Sequence, residues 1–219
     1  MLLAYISGIG DFLNLETLKQ HRQELISFVE SYPLLAPITY ILCYIIATAL
    51  SIPGAILLTL TGGFLFPQPF CTIYTITGAS IGACIIFLIA RTTLGDSLKQ
   101  KAGKFMNKME SGLKENAVSY LLFLRFVPIF PFWVANLAPA FFGVSFFTYA
   151  WTTVIGITPG SFVFTQAGAG LGAILDSEEK FSVSTILNND MKIALLALGI
   201  FALIPILLKK LQNKNSEND

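Results

Sequence analysis

Residues 51–70 read SIPGAILLTLTGGFLFPQPF, an apolar segment without a single charged side chain. It is interrupted three times, at Pro53-Gly54, at Gly62-Gly63 and at Pro67-Gln68-Pro69. Proline removes a backbone hydrogen-bond donor, and glycine lets two backbones approach closely. Such backbone is tolerated at membrane depth only where it is buried in protein or lines a wet cavity. The segment therefore predicts a re-entrant hairpin at about residues 51–70.

The chain around this segment is apolar over lengths that indicate a membrane protein. Residues 31–90 and 126–175 contain no Asp, Glu, Lys, Arg or His. Charged residues make up 12% of the chain, whereas soluble domains carry about a quarter. A membrane-spanning helix needs about 20 apolar residues. We therefore predict an all-α, multi-pass integral membrane protein.

The distribution of charge predicts the topology. Basic residues occur at Lys19 and Arg22, outnumber acidic ones in the loop at 91–115 and recur in the tail at 209–219, whereas the charged residues of 176–190 are mostly acidic. Lys and Arg mark the cytoplasmic side of membrane proteins. We therefore expect the N-terminus, the 91–115 loop and the C-terminus to be cytoplasmic. An even number of crossings must then separate each pair of cytoplasmic segments. This predicts four spanning helices, at about 34–50, 71–91, 144–168 and 191–208.

A second broken segment lies at residues 119–142, where Pro128, Pro131 and Pro139 interrupt an apolar stretch. The predicted topology makes this segment enter from the inside, opposite to the first hairpin. The fold prediction is thus four spanning helices plus two oppositely oriented re-entrant hairpins. Inverted halves of this kind are typical of transporters whose site lies near the midplane. The residues expected to shape the hairpins are Pro53, Gly54, Gly62, Gly63, Pro128 and Pro131.

The N-terminal segment, residues 1–33, differs from the rest because it is amphipathic. Leu15, Leu18, Leu25, Ile26 and Val29 fall on one helical face, with charged residues elsewhere. This pattern predicts a helix that lies on the membrane interface or packs against the helix bundle. The predicted division is an amphipathic segment at 1–33, a transmembrane domain at 34–208 and a cytoplasmic tail at 209–219.

Arg125 is the candidate site residue, because a charge within an apolar membrane segment is costly and by default marks function. Its planar guanidinium suits phosphate. The alternative is an arginine that reaches water near the cytoplasmic face. Asn136, in the same segment, is the second candidate for headgroup binding; its alternative role is a helix cap.

Several function classes are disfavoured. The sequence has no metal-spaced cluster of His, Cys or carboxylates, no GK[ST] phosphate loop and no nucleophile–base pair in the membrane. We therefore expect no metal, no cofactor and no enzymatic activity. The net charge of +1 gives no reason to expect nucleic acid as a partner.

Three stretches resemble the DedA-like, VTT-domain membrane proteins, also called SNARE-associated Golgi-type proteins. They are PGAILLTLTGGFLF (53–66), GASIGACIIFLIAR (78–91) and FLRFVPIFPFWVANLAPAFFGVSFFTY (123–149). The resemblance covers about residues 15–210. It implies two facing re-entrant hairpins and the handling of membrane lipids, either as a phospholipid scramblase or as a polyprenyl-phosphate flippase. Within it, Arg125 matches the family arginine, and the six hairpin-shaping residues match the hairpin positions.

The resemblance is incomplete, because the uncharged runs lack the acidic residues that the DedA branch carries in its membrane region. Lipid translocation is the first hypothesis. The alternatives are a small-solute or ion transporter on the same architecture, and a non-transporting membrane-organising factor. We expect membrane lipids as partners, consider a homo-oligomer, and expect a bacterial inner (plasma) membrane location.

Overall fold

The computed structural model describes residues 21–52, 54–93, 112–113, 116–126 and 132–170. Seven helices, and no strand, occur among these residues. In chain order they are α1 (Arg22–Ser31), α2 (Leu35–Ala49), α3 (Ala55–Leu65), α4 (Phe70–Thr93), α5 (Ala117–Phe126), α6 (Phe132–Phe141) and α7 (Phe146–Ala169). The all-helical part of the fold prediction is therefore confirmed for the described chain.

Two compact units make up the chain. The described residues of unit 1 are those up to Ile86 together with residues 158–170, and those of unit 2 lie between Phe87 and Ile157. Helices α4 and α7 each contribute residues to both units.

Helix α4 has the dimensions of a membrane span. Its residues Phe70–Thr92 form the one helix in the described chain that is long and apolar enough, by length and composition, to cross a bilayer. Its 23 residues rise about 35 Å, against a hydrocarbon core of about 30 Å. The 15 residues of α2 rise only about 22 Å by the same measure, which is too short for a straight crossing.

Helices α2 and α3 form an antiparallel hairpin in unit 1. Tyr40 donates its hydroxyl hydrogen to the carbonyl oxygen of Leu58 at 3.0 Å. Tyr44, one turn later in α2, donates to the carbonyl oxygen of Ala55 at 3.2 Å. Ala55 lies earlier in α3 than Leu58. The two helices therefore run in opposite directions.

The reversal between α2 and α3 depends on positive backbone angles. Ser51 has φ 52° and Gly54 has φ 129°. Glycine adopts positive φ at little steric cost, whereas a side chain is strained there. Gly54 therefore lies in the turn between α2 and α3.

The predicted hairpin folded within residues 51–70 is wrong, because Gly62 and Gly63, expected at a break, lie inside α3. Both glycines are buried contact points. A Cβ at Gly62 would collide with the Tyr40 hydroxyl, and one at Gly63 with the Thr165 carbonyl oxygen. These glycines allow close approach of neighbouring elements to an intact helix.

Helix α4 runs parallel to α2, which contradicts the prediction that these segments are consecutive spans of opposite direction. A Cβ added to Gly78 would lie 3.1 Å from the carbonyl oxygen of Ile41. One added to Gly82, a turn later, would lie 2.7 Å from that of Ile45, also a turn later. The contacts therefore move in the same direction along α2 and α4. The two helices can be parallel because α3, which lies between them in the sequence, runs in the opposite direction.

Helix α3 also packs closely against the end of α7 in unit 1. The contact is reciprocal, since a Cβ at Gly63 would meet the Thr165 carbonyl and one at Gly168 would meet the Leu60 carbonyl. Leu60 is fully buried, and Leu25 of α1 packs against it. Helix α1 therefore contacts α3 through Leu25.

In unit 2, α5 and α6 contact each other and are separated by residues 127–131. Pro139 was expected to interrupt this segment, but it lies inside α6. The helix ends just beyond it, where Gly143 has φ 74° and Val144 donates its backbone N–H to the Pro139 carbonyl at 3.1 Å. Glycine at positive φ just past a helix end is a common termination.

Several sequence predictions fall outside the described residues. They concern the hairpin residues Pro53, Pro128 and Pro131, residues 1–20, the predicted span at 191–208 and the tail at 209–219.

Candidate functional site: a guanidinium among neutral partners

Arg125 lies in the last turn of α5 and is held by two hydroxyl groups of α7. Its Nη2 donates to Tyr149 Oη at 3.0 Å and to Thr153 Oγ1 at 3.2 Å. Its Cζ lies 5.6 Å from the centre of the Tyr149 ring, within range of a cation–π interaction. Tyr149 and Thr153 are four residues apart, so both face the same side of α7.

The hydrogen bonds continue from Tyr149 to Asn136 in a fixed direction. Arginine can only donate, so the Tyr149 hydroxyl accepts from Arg125, and its own hydrogen goes to Asn136 Oδ1 at 3.2 Å. Asn136 is fully buried, and its Nδ2 has no hydrogen-bond partner in the described structure. A buried amide donor without a partner costs about 1–3 kcal/mol. Asn136 therefore has donor capacity for a ligand.

Two packing contacts hold this arrangement in place. The Tyr149 ring is stacked on Phe87, with ring centroids 4.3 Å apart and planes 18° apart. Gly156 of α7 lies against the aliphatic part of Arg125, where an added Cβ would fall 2.6 Å from Arg125 Cβ. These contacts place the guanidinium beside the two hydroxyls.

The electrostatics of the site favour an anion. The described residues of unit 2 include no Asp or Glu, and the hydroxyl groups of Tyr149 and Thr153 that accept from Arg125 are neutral. Desolvating a guanidinium is costly unless a counter-charge is present. Both hydrogen bonds use Nη2, so Nη1 and Nε are the remaining donor atoms of the fork. A phosphate oxygen is a natural acceptor for these donors.

A second polar cluster in unit 1 is a closed ring without charge. Gln68 Nε2 donates to Thr165 Oγ1 at 2.8 Å, and Thr72 Oγ1 donates to Gln68 Oε1 at 2.7 Å. The Oγ1 atoms of Thr72 and Thr165 are 2.7 Å apart, and the hydrogen bond between them closes the ring. This cluster ties the Pro67-Gln68-Pro69 connection to α7. Its groups satisfy each other, which indicates a structural role.

The structure connects the two site residues predicted from sequence and adds others. Arg125 and Asn136 lie on different helices and share the Tyr149 hydroxyl. Sequence reasoning missed Tyr149 and Thr153, although a polar pair at a four-residue spacing within an apolar helix is a usable signal. It also missed Gly156, because close packing on Arg125 is a tertiary contact.

No group of three or more His, Cys, Asp or Glu side chains that could hold a metal ion occurs in the described ranges. The three cysteines, Cys43, Cys71 and Cys84, are free thiols.

The described chain is all-helical, contains one helix long and apolar enough to cross a membrane, and holds a polar site among apolar residues of unit 2. Residues 52–170 match the family model of the VTT domain. The chain belongs to the VTT-domain family of membrane proteins, and the resemblance noted in the sequence is confirmed.

Relatives of the chain include animal transmembrane proteins. It is 30% identical over 200 residues to the transmembrane protein 41 homolog of Caenorhabditis elegans, covering 90% of this chain and 79% of that protein. It is 28% identical to transmembrane protein 41B of Xenopus tropicalis and 29% identical to that of Homo sapiens. Those matches cover 82% and 81% of this chain. The chain spans only 64% and 60% of these two vertebrate proteins. No solved structure matches it.

Proposed function

We propose that the protein translocates lipids between the two leaflets of a membrane. One observation carries the proposal: Arg125 is held by neutral hydroxyls in a part-buried site of a VTT-domain chain. Its positive charge attracts a phosphate headgroup, and the Asn136 amide, whose Nδ2 has no hydrogen-bond partner in the described structure, lies one hydrogen bond beyond Tyr149. The acyl tails stay in the surrounding lipid.

The helix directions support a revised membrane topology for this function. In our proposal, the α2–α3 hairpin enters the membrane and returns to the same face, and α4 then crosses to the other face. The α5–α6 hairpin enters from that second face, and a crossing by α7 stays a prediction. A hairpin that enters the membrane and returns to the same face shortens the apolar path that a polar headgroup must cross. The antiparallel α2–α3 pair, the parallel α2–α4 pair and the length of α4 support the first part of this arrangement, from α2 to α4.

This topology changes the prediction for the N-terminus. If α2–α3 is the re-entrant hairpin, one crossing separates α1 from the basic 91–115 loop. The loop remains cytoplasmic by its charge, and α1 then lies on the opposite face. A cytoplasmic C-terminus and a bacterial inner membrane location stay predictions.

The proposed transport is passive, and no catalytic reaction is involved. Membrane lipids are the proposed partners, and self-association stays a prediction. A phosphate headgroup that exchanges between bilayer and site gains charge-assisted hydrogen bonds from Arg125, which offset part of its desolvation cost.

The experiment is a leaflet-exchange measurement in vesicles. Purified protein is reconstituted with fluorescent phospholipid in both leaflets, and an impermeant quencher reports how much label becomes accessible. We expect near-complete quenching with the wild type and about half with protein-free vesicles, because only the outer leaflet is exposed there. Arg125→Ala is expected to approach the protein-free value.

Two outcomes separate the alternatives. Wild-type vesicles that behave like protein-free vesicles across several lipid classes would refute phospholipid translocation. Flux of a water-soluble solute with no lipid exchange would instead favour a small-solute or ion transporter. Absence of both kinds of flux would favour a membrane-organising role.

A further inference from the structure

We infer that Tyr149 is a positioning residue of the headgroup site, which orients the Asn136 amide as a second donor for a phosphodiester anion. The inference rests on the proposed function, since it assigns the ligand class of the same site. Arg125, Tyr149 and Asn136 come from three different helices, α5, α7 and α6. Their hydrogen bonds run in one direction only.

The direction of the hydrogen bonds from Arg125 through Tyr149 determines the orientation of the Asn136 amide. The guanidinium occupies the acceptor side of the Tyr149 hydroxyl, which leaves its single hydrogen for Asn136 Oδ1. Oδ1 is therefore held toward Tyr149, and Nδ2 is left as the free donor. Without the hydroxyl, nothing in the described site distinguishes the two ends of the amide. Tyr149 thus acts through Asn136 and Arg125, without contacting the ligand.

The donors suit a singly charged phosphodiester. The site supplies one positive charge, at Arg125, and the described residues of unit 2 place no carboxylate against it. A phosphodiester carries one negative charge, so the complex is neutral, which limits its desolvation cost in a low-dielectric site. Its non-bridging oxygens accept from the guanidinium, and Asn136 Nδ2 gains the partner that it lacks.

Tyr149→Phe tests the role of the hydroxyl alone. Phenylalanine keeps the ring that stacks on Phe87, so the fold is expected to be preserved. Asn136→Leu removes the amide while keeping similar volume. Tyr120→Phe is the matched control. It also removes a tyrosine hydroxyl from the helix that carries Arg125, but this hydroxyl takes no part in the hydrogen bonds between Arg125, Tyr149 and Asn136.

The measurement is binding of dihexanoyl-phosphatidylglycerol, a short-chain phosphodiester lipid, to purified protein in detergent, followed by tryptophan fluorescence. We expect Tyr149→Phe and Asn136→Leu each to raise the Kd about tenfold, the effect of losing one hydrogen bond to a charged group. The double variant is expected to match the weaker single variant, because both changes remove the same donor. Tyr120→Phe is expected to bind like the wild type.

A purely structural role for Tyr149 gives a different result. Additive losses of about a hundredfold in the double variant, or wild-type affinity of Tyr149→Phe, would overturn the inference. Equal binding of inorganic phosphate would assign the site to a soluble anion and overturn the lipid assignment. Equal binding of dihexanoylglycerol, which lacks the phosphate, would show that the site does not recognise an anion and would overturn that part of the inference.

The inference can fail separately from the proposed function. A wild type that binds the probe but exchanges no lipid refutes translocation, and the double-variant comparison of Kd values still decides the role of Tyr149. A wild type that does not bind the probe overturns the inference, while leaflet exchange independently tests translocation.

Discussion

Gly156 lies directly against the aliphatic part of Arg125, so that a Cβ on the glycine would fall 2.6 Å from Arg125 Cβ. Real Cβ atoms do not approach this closely, and either α7 or the arginine would have to move. The geometry that brings the guanidinium to the α7 hydroxyls therefore depends on a residue without a side chain.

Gly156→Ala is expected to displace Arg125 from Tyr149 and Thr153 and to lower lipid exchange about tenfold, the equivalent of roughly 1.4 kcal/mol from one lost charged hydrogen bond. Gly160→Ala is the control, because an added Cβ there meets no atom within 4 Å. The rate of leaflet exchange for the two variants checks the prediction. Equal rates would mean that the close approach to Arg125 does not matter for transport.

Arg125→Lys separates charge from shape. Lysine keeps the charge, and its single nitrogen can still donate to Tyr149 and Thr153, but it lacks the Nη1 and Nε donors that the planar fork leaves for a ligand. We expect an exchange rate between those of the wild type and Arg125→Gln, which has neither the charge nor the fork. A lysine variant as fast as the wild type would show that charge alone is sufficient, and one as slow as the glutamine variant would show that the fork is essential.

The reciprocal contact between α3 and α7 predicts a stability effect away from the arginine. Gly63→Ala and Gly168→Ala each place a methyl group against a backbone carbonyl, and overpacking of this kind costs about 1–3 kcal/mol. Because both changes widen the same helix contact, the double variant should lose less than the sum of the two. The apparent melting temperature in detergent, measured by loss of the monodisperse size-exclusion peak, checks this. Additive losses would show that the contacts act independently.

The neutral ring of unit 1 predicts a second stability effect. Thr165→Val removes the hydroxyl that accepts from Gln68 and contacts Thr72, which leaves buried polar groups short of a partner at a cost of about 1–3 kcal/mol. Thr77→Val is the control, because Thr77 is exposed and its hydroxyl bonds to the Ile73 carbonyl of its own helix. Similar melting temperatures for both variants would argue against a stabilising ring.

The positions of three helices could be predicted from sequence because they follow from local composition. Uncharged runs bounded by charges predicted segments at 34–50, 71–91 and 144–168, and α2, α4 and α7 occupy these ranges to within a few residues. Arg125 was also predictable, since a charge inside an apolar run is costly wherever the chain places it.

The role of the glycines in the packing of the helices was not predictable from local composition. Gly62 and Gly63 were interpreted as a break, yet they lie inside α3 and pack against Tyr40 and Thr165. A glycine that ends a helix and one that admits a neighbouring backbone look the same in a sequence, because the difference depends on a contact with a distant residue.

By itself, the sequence of this protein determined a helical membrane chain of the VTT family, with an arginine and an asparagine in its second half as candidate site residues. These properties follow from composition, local charge and motif. Only the tertiary structure decided that α2 and α3 form the first hairpin, that α4 runs parallel to α2, and that Tyr149 joins Arg125 to Asn136. Each of these depends on hydrogen bonds and close contacts between residues far apart in the chain, and these form only when the helices pack.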